Sequence, residues 1–305
     1  MAHFLLKLSK YHNKIYKPPL SQKNPMFLDQ IKTVILLASL TFLLLIIGFA
    51  LGGTSGLAIT LLISIVINTL SYWYSDKIVL KMYNAKKAEY SHYPYLHDIT
   101  KEVSTRASIK MPKLYVIESN NPNAFATGRS ENTAVIAVTS GLLELLSEQE
   151  LKGVIAHEIG HIKNKDLLIS TVSVILASAI AYLAVMARWA MIFGAKDENN
   201  KGIIELLVLS IVAPISATIL RLAISRSREY IADETGAKII KDPEILATAL
   251  LKLESAPKLK SGNQAAANLF IVNPFSGNGF FKLLSTHPST SSRIKKLRKL
   301  AFSSF

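Results

Sequence analysis

The sequence has no cysteine among its 305 residues. This absence excludes disulfide bridges and thiolate metal ligands, and it fits a reducing compartment. The net charge is +14, but no stretch interleaves aromatic and basic residues as a nucleic-acid surface would. No nucleic-acid partner is therefore expected. Lysine and arginine beside anionic lipid headgroups explain the charge better, because half of the residues are hydrophobic.

Charge is missing from several long hydrophobic runs. Residues 34–75 contain no charged side chain, and glycines interrupt the run near its middle. This pattern predicts two transmembrane helices, 34–51 and 57–74, joined by a tight turn at 52–56. Residues 167–187 form a third uncharged run. A fourth, 203–224, carries Glu205 and Arg221 near its ends and Pro214 inside. It either spans the bilayer or forms a helix that is partly covered by protein or lines a cavity.

The chain start lacks the features of a signal peptide, because a polar and basic stretch precedes the first hydrophobic run. Lysines flank the first hairpin on both sides, and the positive-inside rule then places both flanks in the cytoplasm. We predict a basic tail at 1–33, transmembrane hairpins at 34–75 and 167–224, and a catalytic domain in two parts, 76–166 and 225–305. The expected protein is mainly α-helical, with about four transmembrane helices and a small α+β cytoplasmic domain.

A metal-binding motif lies on a predicted helix between the two hairpins. His157, Glu158 and His161 form H-E-x-x-H, after a capping box between Ser147 and Glu150. Residues four apart share a helix face, so both histidines can bind one zinc ion per chain. Glu158 points elsewhere and can act on a water molecule as the general base. The alternative is two surface histidines on an amphipathic helix.

A catalytic zinc ion usually needs a third protein ligand, and Glu229 is the candidate that geometry favours. His161 precedes the third run by six residues and Glu229 follows the fourth by five. If both helices continue past the membrane, both groups stand about 8–9 Å above it. Asp233, one turn after Glu229, could orient a ligand histidine. A salt-bridged surface glutamate beside Arg226 or Arg228 remains the alternative for Glu229.

Four motifs in this order resemble the HtpX family of bacterial membrane-bound heat-shock metalloproteases and, more distantly, the CAAX prenyl proteases. They begin at Asn123, His157, Glu229 and Thr286. The resemblance implies a zincin-like domain of the gluzincin type, with Glu229 as third zinc ligand and Asp233 as its orienting partner.

The resemblance also assigns residues outside the metal motif. It places Asn123 near the substrate, and His287 and Arg293 on the far side of the cleft. His287 could then donate a hydrogen bond to the oxyanion of the reaction, and Arg293 could hold its element through a carboxylate. Without the resemblance, His287 is a surface residue before Pro288, and Arg293 belongs to a basic tail.

The strand predicted at 134–139 is a candidate edge strand, on which an extended substrate could pair through its main chain. Its alternative is an ordinary interior strand. The substrate-binding residues expected on it are Ala134, Val135, Ile136, Ala137 and Val138.

Together these features predict a zinc-dependent endopeptidase of the bacterial inner membrane. The expected substrates are misfolded or damaged membrane proteins and unfolded polypeptides on the cytoplasmic side. Besides the lipid bilayer, candidate partners are further copies of the chain or other quality-control proteases. The alternative enzyme is a CAAX-type prenyl-peptide endoprotease.

Overall fold

The computed structural model describes residues 25–176, 226–257, 271 and 288–303. Most of the third predicted span, the whole of the fourth and His287 lie outside these residues. Within them, one helical segment, Gly53–Trp73, is long and apolar enough to cross a membrane, and two shorter apolar helices cover Thr33–Ile46 and Leu167–Leu176. The count of four spans stays a prediction.

Helix α1 (Pro25–Trp73) folds back on itself at Gly53. The φ angle of Gly53 is +58°, in the left-handed region that favours glycine. The amide of Asn68 donates to Thr41 Oγ1 at 2.8 Å, although these residues would lie about 40 Å apart in a straight helix. The glycine-rich turn predicted from the sequence therefore joins two antiparallel arms.

The remaining elements alternate short strands with helices. After α1 come α2 (Ser75–Met82), β1 (Lys86–Lys87), α3 (Pro94–Ala107), β2 (Lys113–Ile117), β3 (Ala124–Thr127), β4 (Val135–Thr139), α4 (Ser140–Leu145), α5 (Glu148–Lys163) and α6 (Leu167–Leu176). The later part contributes α7 (Arg226–Ile240), α8 (Pro243–Ser255) and α9 (Thr290–Ser303).

The predicted start signals of two helices are present. The side chains of Ser147 and Glu150 form the reciprocal capping box that begins α5. Asp242 caps α8 by accepting a hydrogen bond from the Glu244 N–H at 3.0 Å, with Pro243 as the first helical residue. The starts of these two helices are thus set by local side-chain chemistry.

The four strands form one mixed sheet in the order β1-β2-β4-β3. β4 pairs in parallel with β2 and antiparallel with β3, so its main-chain groups serve ladders on both sides. The prediction that 134–139 forms an edge strand is therefore wrong, and its interior alternative is correct. The substrate-binding role predicted for this strand depended on its being an edge, so it is withdrawn for Ala134, Val135, Ile136, Ala137 and Val138. The edge is β3, which follows Asn123 directly.

The sheet separates two apolar layers, because successive side chains of a strand point to opposite faces. On one face, Val135 and Ala137 of β4 pack with residues of α2 and α6. On the other, Ile136 and Val138 join the main core, which includes residues of α3, α5, α7, α8 and α9. Helices α5 and α7, which carry the predicted metal ligands, therefore lie on the face opposite α2 and α6.

Helices α5 and α7 cross at very short range because small residues meet at the crossing. A Cβ atom added to Gly160 would lie 2.7 Å from the Ala232 carbonyl oxygen. One added to Gly236 would lie 2.9 Å from main-chain atoms of Ala156 and His157. Only glycine allows this approach, which brings α7 against the turn of α5 that carries the histidines.

We expect Gly236→Ala to destabilise the protein by about 1–3 kcal/mol, because its methyl group overpacks this crossing. At an open helical position the same change would stabilise by about 1 kcal/mol, so the sign of the effect reports the close contact. Thermal unfolding in detergent measures it. Lys238→Ala, at an exposed site on the same helix, is the control and should shift stability by at most about 0.5 kcal/mol. An unchanged or raised Tm for Gly236→Ala would contradict the packing argument.

Candidate metal centre

The two histidines of α5 stand one helical turn apart and face a common point. Their ring centroids are 4.7 Å apart at an interplanar angle of 87°. The two Nε2 atoms lie 3.1 Å from each other. His157 is buried, whereas His161 keeps 16% of its side chain exposed. The pair is therefore closed to solvent at His157 and partly open at His161.

Glu229, on α7, completes a set of three ligand atoms. Its carboxylate oxygens lie 3.7 Å from His157 Nε2 and 3.6 Å from His161 Nε2. One ligand atom from each residue lies within 4.8 Å of the other two. A tetrahedral zinc ion with bonds of about 2.0–2.2 Å holds its ligand atoms about 3.4 Å apart. The two nitrogens and the carboxylate of Glu229 therefore lie close enough together to hold such an ion.

A carboxylate orients each histidine from behind. Asp233 Oδ1 lies 2.9 Å from His157 Nδ1, and Asp166 Oδ2 lies 3.0 Å from His161 Nδ1. When the Nδ1–H group donates a hydrogen bond to the carboxylate, the unprotonated Nε2 is left as the free ligand atom. The orienting role predicted for Asp233 thus has the required geometry toward His157.

Sequence reasoning missed Asp166, which comes just after α5 ends. Lys165, in between, adopts a positive φ of +62° and reverses the chain so that Asp166 returns to His161. The available signal was an acidic residue directly before the third hydrophobic run.

Arg293 of α9 binds the carboxylate that lies behind His157 and approaches Glu229 of the metal site. Its Nε and Nη2 donate to the two oxygens of Asp233 at 2.8 and 2.7 Å, a bidentate pair. Its Nη1 donates to the carbonyl oxygen of Ile271 at 2.6 Å and lies 3.8 Å from Glu229. Burial alone would raise the pKa of Asp233, but Arg293 and His157 outweigh it and lower this pKa to about 2. Asp233 is therefore a fixed negative charge behind His157.

The site as a whole carries an excess of negative charge. Among the residues that the structure describes, four buried carboxyl groups surround the histidines, and Arg293 is the one buried cation beside them. The carboxyl groups belong to Glu158, Asp166, Glu229 and Asp233. Burial alone would lower the pKa of His161, but Asp166 and the two glutamates raise it to about 10. A site that attracts a proton this strongly also attracts a divalent cation, which satisfies the same carboxylates.

Glu158 lies beside the ligand set but is not part of it. It is only 3% exposed, and the main-chain N–H of Ala126 in β3 donates to its carboxylate. Burial raises the pKa of Glu158 against the opposing effect of the two histidines. A carboxylate with a raised pKa, next to a metal position, is suited to exchange protons with water.

Comparison with known proteins agrees with this site. The model of peptidase family M48 matches residues 91–301, a range that contains every group described above. The chain belongs to peptidase family M48. It is 51% identical over 276 residues to the protease HtpX homolog of Pyrococcus furiosus, covering 89% of this chain and 96% of that one. It is 49% identical over 268 residues to the Aquifex aeolicus homolog, covering 85% and 89%. The resemblance to the HtpX family is confirmed.

A solved structure is also similar to this M48 chain. The crystal structure of S. mikatae Ste24p matches with a TM-score of 0.49 at 18% identity. The match covers 90% of this chain and 66% of that one, slightly less than two thirds of its length. The assignment to M48 depends on the family model and the sequence relatives.

Asn123, predicted near the substrate of this M48 protein, is buried at the start of β3. Its Oδ1 accepts a hydrogen bond from the Ile271 N–H at 3.2 Å, and the Ile271 carbonyl is the one held by Arg293. Asn123 and Arg293 therefore hydrogen-bond the N–H group and the carbonyl group of the same residue, Ile271. His287, the other predicted residue of the cleft, lies outside the described residues.

We expect Asp166→Ala to weaken zinc binding about 10-fold to 100-fold, because His161 loses the group that orients its ring. Asp166→Asn keeps an acceptor oxygen and should fall between this variant and the unsubstituted protein. Competition with a fluorescent chelator measures the affinity. Glu234→Ala removes an exposed carboxylate from α7 and serves as the control. Equal affinity in Asp166→Ala and the control would rule out the orienting role.

Proposed function

We propose that the chain is a zinc-dependent endopeptidase of the membrane, acting on unfolded segments of membrane proteins on the cytoplasmic side. Its membership in the M48 family and its HtpX relatives make it a metalloprotease. The observation that supports peptide hydrolysis most directly is the position of Glu158, between the two histidines in sequence and against the edge strand in space.

His157, His161 and Glu229 would hold the metal. When bound, zinc polarises a carbonyl group and lowers the pKa of water toward neutrality. Glu158 takes a proton from the attacking water and delivers it to the leaving amine, which its raised pKa favours. Asp166 and Asp233 keep both imidazole rings in the tautomer that ligation requires. Arg293 holds the carboxylate of Asp233 in place while the protons move during the reaction.

Strand β3 offers the position for an extended substrate. It is the last strand of the sheet order, and among the described strands none pairs with its outer edge. The Ala126 N–H points from this edge to Glu158, and main-chain groups alternate, so Ala124 faces the same way. A peptide paired here would lie beside Glu158, bound through its main chain and with little sequence preference. This supports broad cleavage of unfolded segments.

Glu158→Gln should retain zinc and lose proteolysis by a factor of about 100 to 10,000, because the carboxylate that moves the proton is gone. Glu229→Ala should lose tightly bound zinc as well as activity. Metal analysis together with casein digestion, with and without a chelator, separates the two effects. Casein cleavage by Glu158→Gln would end the proposed mechanism. Full zinc content in Glu229→Ala would remove this residue from the ligand set.

The membrane role is tested with the protein reconstituted in liposomes. We expect an unfolded tail on a single-span substrate to be cut faster than the same tail free in solution, because both partners share one surface. A tail replaced by a folded domain should be spared. Glu158→Gln provides the background. Equal rates for tethered and free tails would contradict the proposed substrate class, and preferential cleavage of a prenylated peptide would favour the CAAX-type alternative.

A further inference from the structure

Three aromatic residues, Tyr72, Trp73 and Tyr74, end the segment that is apolar enough to cross a membrane. They are 38%, 56% and 47% exposed. The Tyr72 and Trp73 rings stand edge to face, with centroids 5.6 Å apart. Aromatic side chains at the end of a span lie at the level of the lipid headgroups.

Arg129, from the loop after β3, stacks on this aromatic pair. Its guanidinium carbon lies 4.7 Å from the centre of the Trp73 ring and 6.0 Å from that of Tyr72. A cation–π contact of this kind does not use the N–H donors of the guanidinium in hydrogen bonds. Among the described residues, no carboxylate forms an ion pair with Arg129, so this charge is not neutralised there.

The loop that carries Arg129 is held in one conformation. Gly128 has a φ of +136°, and a Cβ atom there would lie 2.8 Å from the Thr133 carbonyl oxygen. The main-chain N–H groups of Arg129 and Ser130 both donate to Thr133 Oγ1, at 3.3 and 3.2 Å. Since ordering a loop costs conformational entropy, a preordered arginine binds a partner with a smaller entropic loss.

We propose that Arg129, Tyr72 and Trp73 form a binding site for the phosphate of an anionic phospholipid headgroup. A guanidinium matches a phosphate through two parallel N–H···O bonds, and the aromatic rings pack against the upper part of the acyl chains. Lys77, whose Nζ lies 5.2 Å from the Tyr74 ring, adds a second positive charge. Two cations favour a lipid with net negative charge over a zwitterionic one.

The site connects the bilayer to the catalytic strand. Arg129 follows Ala126 by three residues, and Ala126 donates its N–H to Glu158. A headgroup held by Arg129 would therefore fix the end of β3 relative to the membrane surface. This inference depends on the membrane insertion of α1 that belongs to the proposed function, but it does not depend on proteolysis.

The test uses Trp73 as the reporter. The chain has two tryptophans, so Trp189→Phe leaves Trp73 alone. The protein is reconstituted in phosphatidylcholine with a variable fraction of brominated phosphatidylglycerol or brominated phosphatidylcholine, and quenching is normalised to each variant's own fluorescence. We expect about fivefold preference for phosphatidylglycerol, a value near one for Arg129→Gln, and an intermediate value for Arg129→Lys. Lys101→Gln removes an exposed charge from α3 and should keep the preference.

The outcomes separate the headgroup site from the membrane span. Retained preference in Arg129→Gln, or equal loss in Lys101→Gln, would overturn the site and show a general charge effect. If neither brominated lipid quenches Trp73, α1 does not present this residue to the bilayer and the inference fails with the span. Zinc content, measured on the same samples, should stay unchanged in Arg129→Gln and shows that the variant is folded.

Discussion

The close crossing of α5 and α7 is the constraint on which the rest of the site depends. Gly160 and Gly236 let the helix backbones approach until main-chain atoms touch, and a single added carbon would separate them. At that distance Glu229 reaches both histidines. The candidate metal ligands come from two segments that are distant in the sequence. Bringing them together thus requires a close helix contact, which glycines without side chains allow.

Buried charge is the cost of this arrangement, and the surrounding groups offset it. An uncompensated buried carboxylate costs several kcal/mol, yet Asp233 remains ionised because Arg293 binds it through two hydrogen bonds. The excess negative charge near His157 and His161 then matches a divalent cation. Arg293 neutralises the negative charge of Asp233 on one side of the site. The negative charge on the other side is suited to a metal ion.

The sheet holds helices α5 and α7 in a fixed position relative to the apolar hairpin. Its two faces pack against different apolar layers, and β3 is the strand beside the metal site. Thr127 of β3 hydrogen-bonds Thr171 of α6 at 3.1 Å, while Ala126 hydrogen-bonds Glu158. Arg129, two residues after the end of β3, lies on the aromatic end of α1. This short strand and the loop after it therefore connect an apolar helix, the proposed general base and the proposed lipid site.

Local interactions explain what the sequence by itself determined. The capping box of α5, the one-turn spacing of its histidines and the turn at Gly53 follow from contacts between residues close in the chain, so their patterns are readable. Tertiary structure alone decided that β4 is interior and β3 is an edge strand. It also decided that Asp166 returns to His161, and that Glu229 lies beside both histidines and not on the surface. Strand order and helix approach arise from packing between distant segments, which no local pattern encodes.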